Sequence, residues 1–158
     1  AKTPVTVVCS GAKAILDLPK TLEMLETLGV TVVTYRGDDF PAFWSRSSGI
    51  PSPLRSDSVE ELARLIRTKR ALGFHGGILI ANPVAEADEI AREQIGSHID
   101  AATREANHAG IKGKALTPFL LERIAASTSG RSLATNVALL RSNARLAALL
   151  ALALSEQR

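Results

Sequence analysis

The chain has 158 residues, enough for one domain with a substantial hydrophobic core. Aromatic residues make up only 4% of the chain against a hydrophobic fraction of 46%, so the core must consist mainly of Ala, Leu, Ile and Val. The net charge is +3, but basic side chains alternate with acidic ones, which does not favour nucleic-acid binding. A small anionic substrate fits this charge, because a few focused cations suffice for one phosphate.

The single cysteine, Cys9, excludes an internal disulfide and favours a reducing compartment, so we expect a cytoplasmic location. We find no signal peptide and no apolar run of transmembrane length. The apolar tail Leu146–Leu154 is too short to span a bilayer and predicts a buried terminal helix, so we expect no membrane partner. The chain begins at Ala1 without Met, which suggests a piece of something longer or a mature product.

Hydrophobic periodicity predicts three short buried strands, over residues 5–9, 30–35 and 77–81. Pro19 lies inside the first predicted helix and predicts a kink or a break there. Thr117 and Pro118 predict an N-cap followed by the first helical position. Helices are predicted over about 13–28, from 57 or 58 to 73, over about 86–109, from 117 onwards, and over about 132–154.

The alternation of strand and helix predicts an α/β fold in which a mostly parallel sheet is sandwiched by helices (α/β/α), with a helical C-terminal third. Residues 36–57 are irregular and contain an aromatic cluster from Phe40 to Trp44. A loop this long in a compact domain is usually functional or packs on a partner. No second domain boundary is visible.

The segment Cys9–Lys13 follows the first strand, and ligands of open α/β sheets bind beyond the carboxyl ends of strands. Gly11 would let the backbone approach a ligand, and the amides opening the next helix could hold an anion. We expect Lys13 in or just before the first helical turn, where the dipole disfavours a cation by ~0.3–1 kcal/mol and so favours the nucleophilic neutral amine. Position alone favours a different interpretation, in which Lys13 is a solvated surface lysine or only a phosphate ligand.

The remaining polar residues carry weaker signals. His75, His98 and His108 are isolated in the sequence, with no metal-ligand spacing. Asn136 and Asn143 are seven residues apart on the last predicted helix and so share a face. They either read a polar ligand or tie helices together, and the sequence does not choose between these roles.

Several segments match a known family in order and approximate spacing. They are Val7–Val30 (VVCSGAKAILDLPKTLEMLETLGV), Phe40–Phe43, Gly76–Pro83, Gly113–Lys114 with Thr117–Leu121, and Ser132–Asn136 with Asn143–Ala144. On these segments the chain resembles, over essentially its whole length, the pseudouridine-5'-phosphate glycosidase family, which includes the indigoidine-synthase-A-like proteins.

The resemblance implies reversible cleavage of the C–C glycosidic bond of pseudouridine 5'-phosphate to uracil and ribose 5-phosphate, in nucleotide catabolism. It implies an α/β/α sandwich, a homotrimer and a divalent metal, usually manganese. The family's Schiff-base lysine corresponds to Lys13, and the uracil-contacting amide corresponds to Asn136. We also assign Ser10 and Gly11, in the same turn, to substrate binding.

Members of the family are about twice as long as this chain, so residues 1–158 correspond to a C-terminal half. The family's general-acid Glu, its metal-binding Asp and most phosphate ligands come from the N-terminal half. We therefore expect the chain to hold no metal site of its own and to act only with that half as partner. Two alternatives remain: a related synthase that joins ribose 5-phosphate to a non-uracil acceptor, and a non-catalytic interaction module.

Overall fold

The structure is a computed structural model and describes residues 2–156. It contains four strands and five α-helices, which mostly alternate up to residue 81, after which only helices follow. The strands are β1 (Thr6–Cys9), β2 (Thr31–Tyr35), β3 (Arg55–Ser56) and β4 (Ile78–Ala81). The helices are α1 (Leu18–Thr27), α2 (Val59–Ala71), α3 (Arg92–His108), α4 (Leu116–Ser127) and α5 (Arg131–Ser155). Short 3-10 turns lie at Glu86–Asp88 and Gly113–Ala115.

The strands form one parallel sheet in the order β1-β4-β2-β3. Helices α2 and α5 cover one face, where Val33 and Ile80 of the sheet pack against Leu62 of α2 and Leu146 of α5. Helix α1 covers the other face, where Val32 contributes to a second cluster. This arrangement confirms the predicted α/β/α sandwich with a helical last third.

Helices α3 and α4 pack on each other and enclose a third cluster, which contains Ile95, Ile124 and the nearly fully buried Trp44. Trp44 belongs to the long irregular segment after β2. The aromatic cluster of that segment therefore ties the loop to the C-terminal helices.

The first helix begins five residues later than predicted. The Asp17 side chain accepts a hydrogen bond from the Lys20 backbone N–H and caps α1, and Pro19 lies in the first helical turn. Proline is favoured at that position because its missing N–H has no helical partner there, so Pro19 starts the helix rather than breaking it. Lys13 therefore lies well outside α1, and the prediction that placed it at the first turn is wrong.

Two further helix starts differ from the prediction. Helix α3 begins at Arg92 instead of about Glu86. The 3-10 turn at Glu86–Asp88 ends at the extended Glu89, and the next residue is held against the loop: the Ile90 N–H donates to the Trp44 carbonyl, and the Ser45 hydroxyl donates to the Ile90 carbonyl. Helix α4 begins at Leu116, one residue before the predicted cap. A 3-10 turn runs directly into it, which leaves no extended residue to act as an N-cap.

Helix α5 is longer and more exposed than the predicted buried terminal helix. By length and composition it could cross a membrane, since an 18-residue stretch of it has a mean hydropathy of 1.6. Leu139, Leu146 and Leu150 are buried, whereas Leu133 and Leu140 are exposed. Because one face forms part of the core, length and composition alone do not identify α5 as a membrane span.

Candidate active site

A hydrogen-bonded network joins the carboxyl ends of β1 and β4 to α5. The Asn143 side-chain N–H donates to the hydroxyl of Ser10, the residue after β1, at 2.8 Å. The Asn143 side-chain oxygen accepts from the amide of Asn82, the residue after β4, at 3.0 Å. Asn82 also donates to the Ser142 hydroxyl at 2.9 Å. The buried hydroxyl of Ser10 therefore has a partner, and two strand ends are tied to one helix.

The backbone of Gly11 packs directly against the backbone of Pro41. Its φ is 75°, and a Cβ placed on it would lie 1.9 Å from the Pro41 carbonyl oxygen. An antiparallel bridge joins Gly11 to Ala42. The space left by the missing side chain is occupied by the loop after β2.

Lys13 lies in the turn between this bridge and α1. The Leu16 N–H donates to the Lys13 carbonyl, and Lys13 is half-buried. Its Nζ lies 5.7 Å from the centre of the Phe43 ring, within the range of a cation–π contact. Since helix dipoles act within the first turn, the dipole argument for a neutral Lys13 amine does not apply.

Phe43 is held in an unfavourable backbone conformation beside the lysine. Its φ is 67°, in the left-handed region that bulky residues rarely adopt. The adjacent Trp44 anchors it: the two rings meet edge to face at 5.2 Å, and the Trp44 indole N–H donates to the Ser132 carbonyl at 3.2 Å. Strained residues persist only where their surroundings fix them, and they cluster at functional sites.

The two asparagines of α5 have different surroundings. Asn143 ties the helix to the strand ends, which is one of the two roles that the sequence left open for this residue. Asn136 is half-buried two turns earlier on the same face. Its assignment to uracil remains a prediction, as do the substrate-binding assignments of Ser10 and Gly11.

Asn82 is the site residue that the sequence reasoning missed. It lay within a segment that matched the family, but no role was assigned to it. The available signal was its position directly after a buried strand, the same signal that pointed to Ser10. Because its partners lie 60 and 61 residues further along the chain, the network itself was not readable from sequence spacing.

A thiol and two carboxylates, those of Cys9, Asp38 and Asp39, do not form a catalytic group. Burial raises the pKa of the Cys9 thiol, and a backbone hydrogen bond involving Gly11 opposes this only in part, so Cys9 behaves as a small core residue. The exposed Asp38 pairs with Arg55 at 2.6 Å. Asp39 accepts a hydrogen bond from the Ser47 hydroxyl.

The described residues do not fit a metal ion. Within residues 2–156, no three His, Cys, Asp or Glu side chains lie close enough together to hold one. The divalent metal implied by the resemblance would therefore need ligands from outside this part of the chain.

The fold and the site define an α/β protein with a lysine at the carboxyl edge of a parallel sheet. Residues 1–153 match the family model described as indigoidine synthase A like protein. The chain belongs to this family, which confirms the resemblance found in its motifs.

Two curated relatives of the chain carry the same name. The pseudouridine-5'-phosphate glycosidase of Methylobacterium nodulans is 64% identical over 154 residues, which are 98% of this chain and 46% of that protein. The protein of the same name from Solibacter usitatus is 58% identical over 96% of this chain and 50% of its own length. The chain thus spans about half the length of these relatives, and it corresponds to their C-terminal half.

Solved structures share the fold. The crystal structure of the prealnumycin C-glycosynthase AlnA in complex with ribulose 5-phosphate matches with a TM-score of 0.90 at 35% identity, over 98% of this chain and 51% of that one. An indigoidine synthase A (IdgA)-like protein from Thermotoga maritima matches with a TM-score of 0.82 at 34% identity, over 99% of this chain and 51% of that one.

The close packing of Gly11 against the Pro41 carbonyl leads to a testable prediction. Gly11→Ala should lower the free energy of unfolding by about 1–3 kcal/mol more than Gly29→Ala, because overpacking against the Pro41 carbonyl adds to the strain of a positive φ. Gly29 is a matched control, since its φ is 67° and nothing lies within 4 Å of the added Cβ. Urea unfolding measures both variants. Equal losses would show that the loop does not press on Gly11.

Proposed function

We propose that this chain supplies the Schiff-base half of a pseudouridine-5'-phosphate glycosidase, which reversibly cleaves pseudouridine 5'-phosphate to uracil and ribose 5-phosphate. The observation that carries the proposal is the position of Lys13, half-buried beyond the carboxyl end of β1 and beside the fixed ring of Phe43. The 64% identity to a relative of that name supports the substrate.

A C–C glycosidic bond has no leaving-group heteroatom to protonate, so the two carboxylates of ordinary glycosidases do not suffice. A lysine amine offers another route. Its Nζ bonds to C1 of the ribose while the bond from C1 to the ring oxygen breaks; the nitrogen gives up a proton and the ring oxygen gains one. The nitrogen lone pair then forms an imine as the bond to uracil breaks. The uracil carbon keeps the electron pair and takes a proton, and water hydrolyses the imine to ribose 5-phosphate and free Lys13.

This chain's residues have distinct parts in that scheme. The Ser10–Asn143 hydrogen bond fixes the strand end from which the Lys13 turn departs. The Gly11 approach and the Phe43 ring limit where the lysine side chain can lie. Asn136 would hold the uracil by its side-chain amide. AlnA was crystallised with ribulose 5-phosphate, a sugar that its phosphate keeps in the open chain, and an open chain is what the proposed imine requires.

The N-terminal half of the enzyme would supply the rest. It would provide the general acid that opens the ring, most of the residues that bind the phosphate, and the ligands of the expected manganese ion. In our proposal the chain is inactive without it. The homotrimer, the catabolic role and the cytoplasmic location remain expectations.

Borohydride trapping tests the Lys13 proposal. The chain is co-expressed with the N-terminal half of the Methylobacterium nodulans relative, treated with ribose 5-phosphate and reduced. We expect the intact mass of the chain to rise by one reduced sugar, with the adduct on the peptide that contains Lys13. Lys13→Ala should abolish the adduct, because no other amine occupies that position.

The matched control is Lys20→Ala, which removes an exposed lysine of α1. It should leave both the adduct and the release of uracil from pseudouridine 5'-phosphate unchanged. An adduct that survives Lys13→Ala, or a wild-type complex that forms none, contradicts the proposal. A complex without turnover of any C-nucleotide would favour the non-catalytic interaction module.

A second candidate function is a C-glycoside synthase with a non-uracil acceptor. The likeness to AlnA, at a TM-score of 0.90, favours it. Competition separates the two functions: with ribose 5-phosphate present, uracil should be consumed to give pseudouridine 5'-phosphate, whereas aromatic acceptors should neither react nor inhibit. Consumption of an aromatic acceptor in preference to uracil would select the synthase.

A further inference from the structure

Strand β1 is an edge of the sheet. Its inner side pairs with β4, and no described strand lies on its outer side. Helix α5 contacts β1, yet Val7 and the preceding Val5 remain 46% and 50% exposed. All-parallel sheets are normally buried on both faces, and a bare apolar edge invites pairing with another chain.

The backbone geometry shows which groups are free on this edge. The Ile78 N–H donates to the Val5 carbonyl, and the Asn82 N–H donates to the Cys9 carbonyl, so the odd-numbered residues of β1 direct their backbone groups towards β4. Because successive residues of a strand alternate, Thr6 and Val8 direct their N–H and C=O groups outward. These two residues offer a row of hydrogen-bonding groups to an added strand.

Helix α5 carries an apolar stripe on the same side of the molecule. Leu133, Val137, Leu140 and Ala144 recur at spacings of four, three and four residues and are exposed. Leu140 and Ala144 flank Asn143, which reaches the end of β1 through Ser10. The stripe therefore lies on the β1 side of the helix.

The opposite side of α5 has a different environment. There Ser142, Arg145, Leu149 and Leu152 line a cavity of about 570 Å³ towards α2 and β2. The stripe and this cavity are thus separate surfaces of one helix, and only the stripe continues onto the open edge of the sheet.

We propose that the open edge of β1 and the Leu133–Ala144 stripe form one docking surface, and that the N-terminal half of the enzyme covers it by adding a strand beside β1. The proposal rests on the proposed function for the identity of this partner. The curated relatives are about twice as long as the segment they share with the chain, and their other half precedes the part that leads into β1.

The docking surface lies next to the turn that carries Lys13, so docking would also affect the candidate active site. Ser10, Gly11 and Lys13 follow β1 directly. A strand added beside β1 in the parallel orientation of this sheet would therefore end at the same edge as the lysine. Side chains that follow the added strand would then face Lys13. Docking at this surface would thus bring the general acid of the N-terminal half to the site that contains Lys13.

Amide hydrogen exchange on the labelled chain tests the docking, alone and in complex with the N-terminal half of the Methylobacterium nodulans relative. The Thr6 and Val8 amides should exchange at least about tenfold more slowly in the complex, because they gain hydrogen-bond partners. The Val7 and Cys9 amides, which already face β4, are controls within the same strand and should be protected in both samples.

A pair of leucine variants on one helix tests the stripe. Leu140→Glu should weaken binding of the N-terminal half at least about tenfold, because it places a charge in an apolar contact. Leu152→Glu is the matched control, since that leucine is 58% exposed against 64% for Leu140 but lies on the cavity side. It should leave the affinity unchanged within about twofold.

Several outcomes would overturn the proposal. They are the absence of a complex, a complex in which Thr6 and Val8 exchange as in the chain alone, and equal effects of the two leucine variants. Protection of Thr6 and Val8 by a second copy of the chain that the N-terminal half does not displace would also overturn it. Protected Thr6 and Val8 amides without a borohydride adduct would support the docking surface and contradict the proposed function. An adduct together with unprotected Thr6 and Val8 amides would support the proposed function and contradict the docking surface.

Discussion

The side-chain amide of Asn143 connects three elements that are distant in sequence. It donates to Ser10 at the end of β1 and accepts from Asn82 at the end of β4, while its own backbone belongs to α5. A buried hydroxyl without a partner would cost about 1–3 kcal/mol, so this amide makes the burial of Ser10 possible. Once Ser10 is fixed, the chain leaves the sheet at one defined point, three residues before Lys13.

Tight packing continues from that point. Gly11 lies so close to the Pro41 carbonyl that no other residue fits, and this approach brings the loop after β2 to the turn that carries the lysine. The loop in turn holds Phe43 beside the Lys13 amine, with Trp44 anchored among the C-terminal helices. Residues from the first strand, the long loop and the last helix therefore form one site, although no single segment contains it.

The sequence predicted those strands and helices that depend on local residue patterns. The three longer strands appeared as β-branched runs. The second helix appeared through a cap at Asp57 or Ser58 with acidic residues behind it, and the structure shows Ser58 as the cap. The first helix was placed too early because Lys13, Ala14 and Ile15 fit the helical pattern, whereas the decisive signal was the Asp17 cap with Pro19 behind it. Strand β3 was missed because two polar residues, Arg55 and Ser56, carry no hydrophobic pattern.

Long-range contacts account for the remaining differences. The start of α3 depends on hydrogen bonds between Ile90 and a loop that lies about 45 residues earlier, and the Asn143 network spans 133 residues. Such pairings leave no trace in spacing or propensity. Recognition of the family located Lys13, but it did not show that the segment after β1 bends away before the helix begins.

A double-mutant cycle on Ser10 and Asn143 tests most directly whether this amide holds the site together. The free energies of unfolding of Ser10→Ala, Asn143→Ala and the double variant are measured in urea. If the two groups depend on each other as described, the double variant should lose less than the sum of the single losses, with a coupling of about 0.5–3 kcal/mol. Additivity within about 0.3 kcal/mol would show that Asn143 does not hold the end of β1, and would contradict the account.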